Sequence, residues 1–229
     1  MLRCSNLRQV KGAKVILLPT LNEEAGIADV VKECKRLFPK ESMLVVDGHS
    51  KDNTIGIARQ LGCKVMVQKG RGKGNAVIEA LATMGSKETV MLIDADGSYD
   101  VSDFQQLLKH YTGKEIVIGN RFALREKGAF TGTNSFGNKA LNAAASILFA
   151  HGLKDMLSGI RIFNVGVAKS LGLTAQNFEI EAEMTLKALK RGIPVVEIPC
   201  HYYPRQGETK LSPIKDGSKI FSRIWKERF

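Results

Sequence analysis

Val90-Met91-Leu92-Ile93-Asp94-Ala95-Asp96 opens on four apolar residues without alternation and closes on two carboxylates. A strand with one wet face would alternate, so the run describes a central strand covered on both faces, as in a parallel sheet. Asp94 and Asp96 lie two apart, and in extended chain both side chains leave the same face. Carboxylates held that close repel unless a cation sits between them. Hard cations such as Mg²⁺ take one or two carboxylates together with phosphate oxygens. The pair therefore suggests a metal bridging protein and diphosphate, and an Asp-capped loop gives the same pair without one.

Outward from this stretch, short apolar runs alternate with amphipathic ones, the pattern of a sheet with crossover helices. Strands are predicted at 15–19, 43–47, 64–67, 90–94, 116–119, 161–164 and 195–202. Helices are predicted at 24–38, 52–61, 74–84, 101–111, 138–150, 179–190 and 212–229. In the first of them Ile27, Val30, Val31, Cys34 and Leu37 fall on one face. Residues 121–134 are polar and glycine-containing and are read as a functional loop. The expectation is one α/β domain over 1–211, with a basic amphipathic helix over 212–229.

The 229 residues are 44% hydrophobic and 25% charged, which excludes disorder, collagen and a disulfide scaffold. The formal charge of +11 implies an anionic partner: nucleic acid, a phosphate-rich small molecule or an anionic membrane surface. Cys4, Cys34, Cys63 and Cys200 show no metal spacing and are read as buried small hydrophobes in a reducing compartment. No apolar run approaches the ~20 residues of a membrane span, and 1–14 lacks the apolar core of a secretory signal. The expected location is cytoplasmic, peripheral at the cytoplasmic face of a membrane.

In an open parallel sheet, ligands collect beyond the carboxyl ends of the strands. There the chain places Pro19, Thr20, Asn22 and Glu23, then Asp47, Gly48 and Ser50, then Asp94 and Asp96, then Gly119 and Arg121. Such convergence marks a site more strongly than any single turn aspartate. Gly70-Arg71-Gly72-Lys73-Gly74 enters a helix and either cradles phosphate on backbone N–H groups or is a solvated connection. It matches neither G-x-x-x-x-G-K-[ST] nor G-x-G-x-x-G.

Seven segments in order carry a resemblance: Pro19-Thr-Leu-Asn-Glu23, Val46-Asp-Gly-His-Ser-Lys-Asp52, Lys73-Gly, Asp94-Ala-Asp96, Gly119-Asn-Arg121, Ser158-Gly-Ile-Arg161 and Arg205-Gln-Gly-Glu-Thr-Lys210. Together they resemble inverting glycosyltransferase family 2, in its dolichol-phosphate mannosyltransferase and polyprenyl-phosphate glycosyltransferase branch. The resemblance implies a GT-A fold, a Rossmann-like mixed, mostly parallel sheet flanked by helices, a nucleotide-sugar donor, and Mg²⁺ or Mn²⁺. It implies that Pro19, Thr20, Glu23, Asp47, Lys73 and Asp94 bind the nucleotide, and that Asp94, Asp96 and Ser98 serve the metal. It places Asp96, Arg121 and Arg161 in catalysis, with Arg121, Arg161, Arg205 and Lys210 near the donor and acceptor phosphates. One departure concerns the acceptor: relatives commonly carry arginine just before the following Gly-Asn, whereas Asn134-Ser135-Phe136 precedes Gly137-Asn138 here.

The implied reaction transfers a hexose or N-acetylhexosamine to dolichyl or polyprenyl phosphate, feeding protein or cell-surface glycosylation. A phosphate monoester, with a second pKa near ~6, is mostly dianionic at neutral pH and needs no general base. A saccharide or protein hydroxyl would need one, and Glu181 and Glu183 are the candidates. The segment 207–217 looks more like lipid-linked glucose or N-acetylglucosamine enzymes than mannosyl ones, favouring a UDP-sugar. In the tail Ile214, Ile220, Phe221, Ile224, Trp225 and Phe229 recur at helical spacing among lysines and arginines, which suits either a headgroup layer or packing on the domain. Phe136, Leu141, Ile147, Leu148 and Phe149 form a second apolar set that is more core-like. His49, His110, His151 and His201 show no metal spacing. A nucleic-acid-binding domain is the rival class, opposed by the missing basic run, the few aromatics and the carboxylate-bearing strand ends.

Overall fold

The computed structural model describes residues 13–130, 132–207, 210 and 212–229. Seven strands form one sheet in the order β3-β2-β1-β4-β6-β5-β7. β1 (Lys14–Thr20), α1 (Ile27–Leu37), β2 (Ser42–Asp47), α2 (Thr54–Gln60), β3 (Lys64–Val67), α3 (Lys73–Thr83) and β4 (Thr89–Leu92) build the first half by alternation of strand and helix. β1 pairs in parallel with both β2 and β4, and β2 with β3. The chain thus leaves β1 in one direction along the sheet and returns on its other side, opening a crevice beyond the β1 and β4 ends.

A 3-10 turn (Val101–Asp103) and α4 (Phe104–Lys109) occupy the single helix expected at 101–111. β5 (Ile116–Arg125), α5 (Gly132–Phe149), β6 (Arg161–Asn164), α6 (Val165–Ser170), α7 (Ile180–Lys190), β7 (Val195–Tyr202) and α8 (Pro213–Arg228) complete the order. β6 runs antiparallel to β4 and β5, whereas β5 and β7 are parallel, so the sheet is mixed. The long loop expected at 121–134 is corrected: β5 continues to Arg125, pairing Leu124 and Arg125 with His201 and Tyr202, and α5 begins at Gly132. This extension is largely exposed, so it carries no apolar alternation to announce it. α6 was not expected; the Asn164 side chain caps it by accepting from the Val167 N–H at 3.2 Å.

Both faces of β4 are covered, as its apolar run implies. Met91 joins Ile16 and Leu18 against α1 and α4, while Val90 and Leu92 join Leu17 against α3, α6 and α7. A third cluster ties α5, α7 and α8 through Ala145, Leu186, Ile220 and Ile224. Cys34, Cys63 and Cys200 are buried free thiols within this packing, and Cys4 lies outside the described residues.

Two glycines test this reading of the packing in opposite directions. A Cβ on Gly74 would lie 2.0 Å from the Ala175 carbonyl oxygen, so Gly74→Ala must push α3 from the 175–176 backbone and should cost about 1–3 kcal/mol. A Cβ on Gly137, inside α5, meets nothing within 4 Å, and Gly137→Ala should add up to about 1 kcal/mol. Urea unfolding of both variants checks the pair.

Candidate active site

The carboxyl ends of β1, β2 and β4 open into a cleft of about 440 Å³, bounded opposite by Phe178, Arg205, Lys210 and the first turns of α8. At its floor the Lys73 ammonium, largely buried, lies 2.5 Å from Asp94 Oδ1 and 2.6 Å from Glu181 Oε1. Burial opposes the charge on Lys73, but the two carboxylates outweigh it and hold the ammonium above its ordinary pKa. α3 brings Lys73 there because Gly72, at φ 93°, and Gly74 leave room for the Gln176 and Ala175 carbonyls. The flexible-connection reading of 70–74 therefore gives way to a fixed turn, with Glu79 accepting from the Lys69 and Gly70 N–H groups.

Asp96 is buried beside the cleft. Its Oδ1 accepts from the Ser98 N–H at 3.0 Å and the Ser98 hydroxyl at 2.6 Å, and its Oδ2 lies 3.5 Å from Arg205. Glu23 accepts from Arg205 at 3.0 Å and from Lys210 at 2.9 Å. Burial raises the Glu23 pKa, and Lys210 and Arg205 oppose the rise. Pro19 and Thr20 line the same cleft. Of the residues expected at a site, the structure thus gathers Pro19, Thr20, Glu23, Lys73, Asp94, Asp96, Arg205 and Lys210.

Three others are placed elsewhere. Asp47 is fully buried and does not line the cleft; it accepts from the Ser50 N–H at 2.9 Å and hydroxyl at 2.5 Å and shapes the 48–50 turn. Arg121 is buried against Asp155, donating from Nε at 2.8 Å and Nη2 at 2.7 Å, with its guanidinium over the rings of Phe130 and Tyr202. Arg161 is completely buried and donates to the carbonyls of Met156, Ser158 and Glu181. Neither arginine lines the cleft. Arg121 was expected there from its strand end and from the family resemblance, Arg161 from the resemblance alone; in sequence a guanidinium that binds phosphate looks like one that binds a buried carboxylate or carbonyls.

Gln68, Lys215 and Lys219 line the cleft and were not among the expected residues. Gln68 follows the end of β3, so the strand-end rule applied to the third strand finds it. The two lysines sit one helical turn apart on α8, where helical spacing alone would group them.

The donor chemistry suits one hard divalent cation. Asp94 is taken up by Lys73, and Ser98 is turned onto Asp96, which leaves Asp96 Oδ2 directed to the cleft. Among the described residues no group of three or more His, Cys, Asp or Glu gathers as a metal cage. One carboxylate oxygen completed by diphosphate oxygens is the binding mode expected of Mg²⁺ or Mn²⁺.

A mixed sheet with this crevice, and an Asp-x-Asp strand end facing a basic wall, has the architecture of GT-A glycosyltransferases. The profile of Glycosyl transferase family 2 matches residues 15–172, and the chain belongs to that family. It is 39% identical over 217 residues to the glycosyltransferase AglJ of Haloferax volcanii, covering 93% of this chain and 71% of that protein. It is 31% identical to a dolichyl-phosphate hexose transferase of the same organism, covering 92% of each. The glucosyl-3-phosphoglycerate synthase of Mycobacterium tuberculosis, solved with Mn²⁺, UDP and glucosyl-3-phosphoglycerate, superposes with a TM-score of 0.75 at 19% identity, over 100% of this chain and 86% of that one. The protein is a glycosyltransferase.

Removing either buried cation should be felt in stability. Lys73→Met leaves Asp94 and Glu181 facing each other without a counter-charge and should cost about 3–5 kcal/mol. Arg161→Met strands three carbonyls and should cost about 1–3 kcal/mol. Thermal denaturation followed by circular dichroism measures both, and a wild-type melting curve for either would refute the placement.

Proposed function

We propose that the protein is a metal-dependent inverting glycosyltransferase that moves a hexose or N-acetylhexosamine from a UDP-sugar to dolichyl or polyprenyl phosphate at an anionic membrane surface. The observation that carries this reading is one cleft in which Asp96 meets Arg205 and Glu23 meets Arg205 and Lys210, while Lys215 and Lys219 line its α8 side. Such a site suits two anionic reactants, which must be held together against their repulsion. The names of the Haloferax volcanii hexose transferase and of a Methanococcus voltae UDP-N-acetylglucosamine–dolichyl-phosphate N-acetylglucosaminyltransferase, 26% identical, support the acceptor and donor classes. The Mn²⁺ and UDP of the solved neighbour support the cation. The tail segment that favoured UDP by resemblance contains Glu208, Thr209 and Leu211, which lie outside the described residues.

In this reading an acceptor phosphate oxygen attacks the sugar C1 as the bond from C1 to the diphosphate oxygen breaks, and the bond electrons leave with UDP. Asp96 would hold a divalent cation, which when bound would neutralise the leaving charge. Ser98 fixes the Asp96 rotamer, and Lys73 fixes Asp94 at the nucleoside side. Arg205, Lys210, Lys215 and Lys219 hold the phosphates, in place of the buried Arg121 and Arg161. The candidate bases for a hydroxyl acceptor are committed: Glu181 to Lys73, and Glu183 to Lys187, Arg223 and the Thr174 and Ala175 N–H groups. A dianionic phosphate acceptor needs neither.

α8 turns Ile220 and Ile224 into the domain but leaves Ile214, Phe221, Trp225 and Phe229 exposed along one stripe, Ile214 at 88%. α5 packs beside it and exposes Phe136 and Ile147. With the exposed Lys226 and Arg228 on either side of the stripe, the two helices suit the headgroup layer of an anionic bilayer. No helix among the described residues is long and apolar enough to cross a membrane. The reading places the protein peripherally, at the cytoplasmic face.

Incubation with labelled UDP-glucose or UDP-N-acetylglucosamine, short polyprenyl phosphate and Mn²⁺ should carry label into organic extract. Asp96→Asn should lower the rate at least ~100-fold. Label that stays aqueous with every UDP-sugar would refute the assignment. The double variant Phe221→Ser/Trp225→Ser should weaken sedimentation with phosphatidylglycerol vesicles about 10-fold while keeping turnover of a short soluble acceptor. Unchanged sedimentation would remove the membrane face from the proposal.

A further inference from the structure

Among the residues that line the cleft are Pro19, Leu21 and Gly48, at the ends of β1 and β2, and Gln68, the residue after β3. Gln68 is 2% exposed, yet its Oε1 is buried without a hydrogen-bond partner. A buried carbonyl oxygen left unpaired costs free energy that a ligand donor would recover. The residue is rigidly mounted. Its N–H donates to the Asp47 carbonyl at 3.0 Å, extending the β2–β3 ladder one step past Val67. The next two N–H groups donate to Glu79, and His49 Nε2 meets the Gly70 carbonyl at 3.1 Å.

Position along the sheet says what such an amide meets. β3 is three strand spacings from β4, about 14 Å. A diphosphate held at Asp96 does not reach that far, and the nucleoside attached to it does. The lining residues at the ends of β1 and β2, Pro19, Thr20, Leu21 and Gly48, carry no charge, which suits a base rather than a phosphate. Gly48 packs closely on the same amide: a Cβ there would meet the Thr20 carbonyl at 3.2 Å and Gln68 Nε2 at 3.3 Å.

We propose that Gln68 is the nucleobase-reading residue of the donor site, its amide accepting from the ring N–H of uracil and donating to the adjacent ring carbonyl. The proposal rests on the nucleotide-sugar reading above and assigns that reading's base to one side chain. An amide offers one acceptor and one donor, the complement of the uracil imide edge. A carboxylate offers acceptors only, which repels the uracil carbonyl and suits guanine, whose ring N–H and amino group both donate.

Calorimetry with UDP, GDP and inorganic pyrophosphate, each with Mn²⁺, tests this on the wild type, Gln68→Leu and Gln68→Glu. Gln68→Leu should weaken UDP on the order of 10- to 100-fold, and Gln68→Glu should weaken UDP similarly while improving GDP relative to it. Pyrophosphate affinity should remain at the wild-type value in both, which separates base reading from collapse of the cleft. Thermal melts identify a variant that has not folded, and Gln68→Asn, which keeps the amide but withdraws it by one methylene, then serves in its place with an intermediate loss of UDP affinity. If folded variants bind UDP and GDP with wild-type affinities and order, Gln68 does not read the base, although the donor reading stands. If the wild type binds neither nucleotide, the donor reading and this assignment both fall.

Discussion

The contact on which the site depends is the lysine ammonium held between two carboxylates beneath the cleft. Burying a charge is expensive unless its partners are fixed, and Lys73, Asp94 and Glu181 come from the start of α3, the end of β4 and the start of α7. Each element is therefore pinned to the other two at the point where ligand would enter. The backbone around the lysine is shaped to suit: Gly72 and Gly74 take the carbonyls of Gln176 and Ala175 against them, which no side chain would permit. The same loop is fastened from behind, because Glu183 accepts from Thr174 and Ala175 and is itself clamped by Lys187 and Arg223. A run of side chains thus joins α8 to the floor of the cleft.

What the sequence discloses about this arrangement follows from how each feature reaches the surface of the code. The apolar run of β4 and the helical face of α1 are dictated by burial, so they are legible, and so is the crevice that the strand order creates. The end of β5 is not, because an exposed ribbon selects no alternation. α6 escapes because six residues hardly establish a period, and only the Asn164 cap marks it. For the site, carboxylates at strand ends are informative because few structural needs put Asp94, Asp96 and Glu23 side by side. Arginines are not, since Arg161 meets carbonyls and Arg121 meets Asp155 with the same group that would meet phosphate.

α8 shows a related limit. Its sequence has apolar residues on more than one side, and periodicity alone does not say which side packs. The structure divides them: Ile220 and Ile224 go inward with Asp216 and Glu227, whereas Phe221 and Trp225 stay outside. Buried acids and outward aromatics reverse the ordinary polarity of a surface helix. The inward acids are matched, Glu227 by Arg223 and Asp216 by the Ser212 N–H and Lys219, so the inversion is specific and not a packing failure.

The charge pattern of the cleft bears on how a site for anions can rest without them. Glu23 lies with Arg205 and Lys210, Asp94 with Lys73, Asp96 with Arg205 and Asp216 with Lys219. Cations gathered for phosphate would repel one another in a bare site, and carboxylates interleaved among them remove that cost. In the proposed function Arg205 and Lys210 would exchange a carboxylate partner for a phosphate without passing through an unpaired state. Lys73 would not, because it is held between two carboxylates at once, Asp94 and the buried Glu181. In the proposed function the doubly held Lys73 would keep its pairs and supply rigidity, and Arg205 and Lys210 would trade theirs and supply binding.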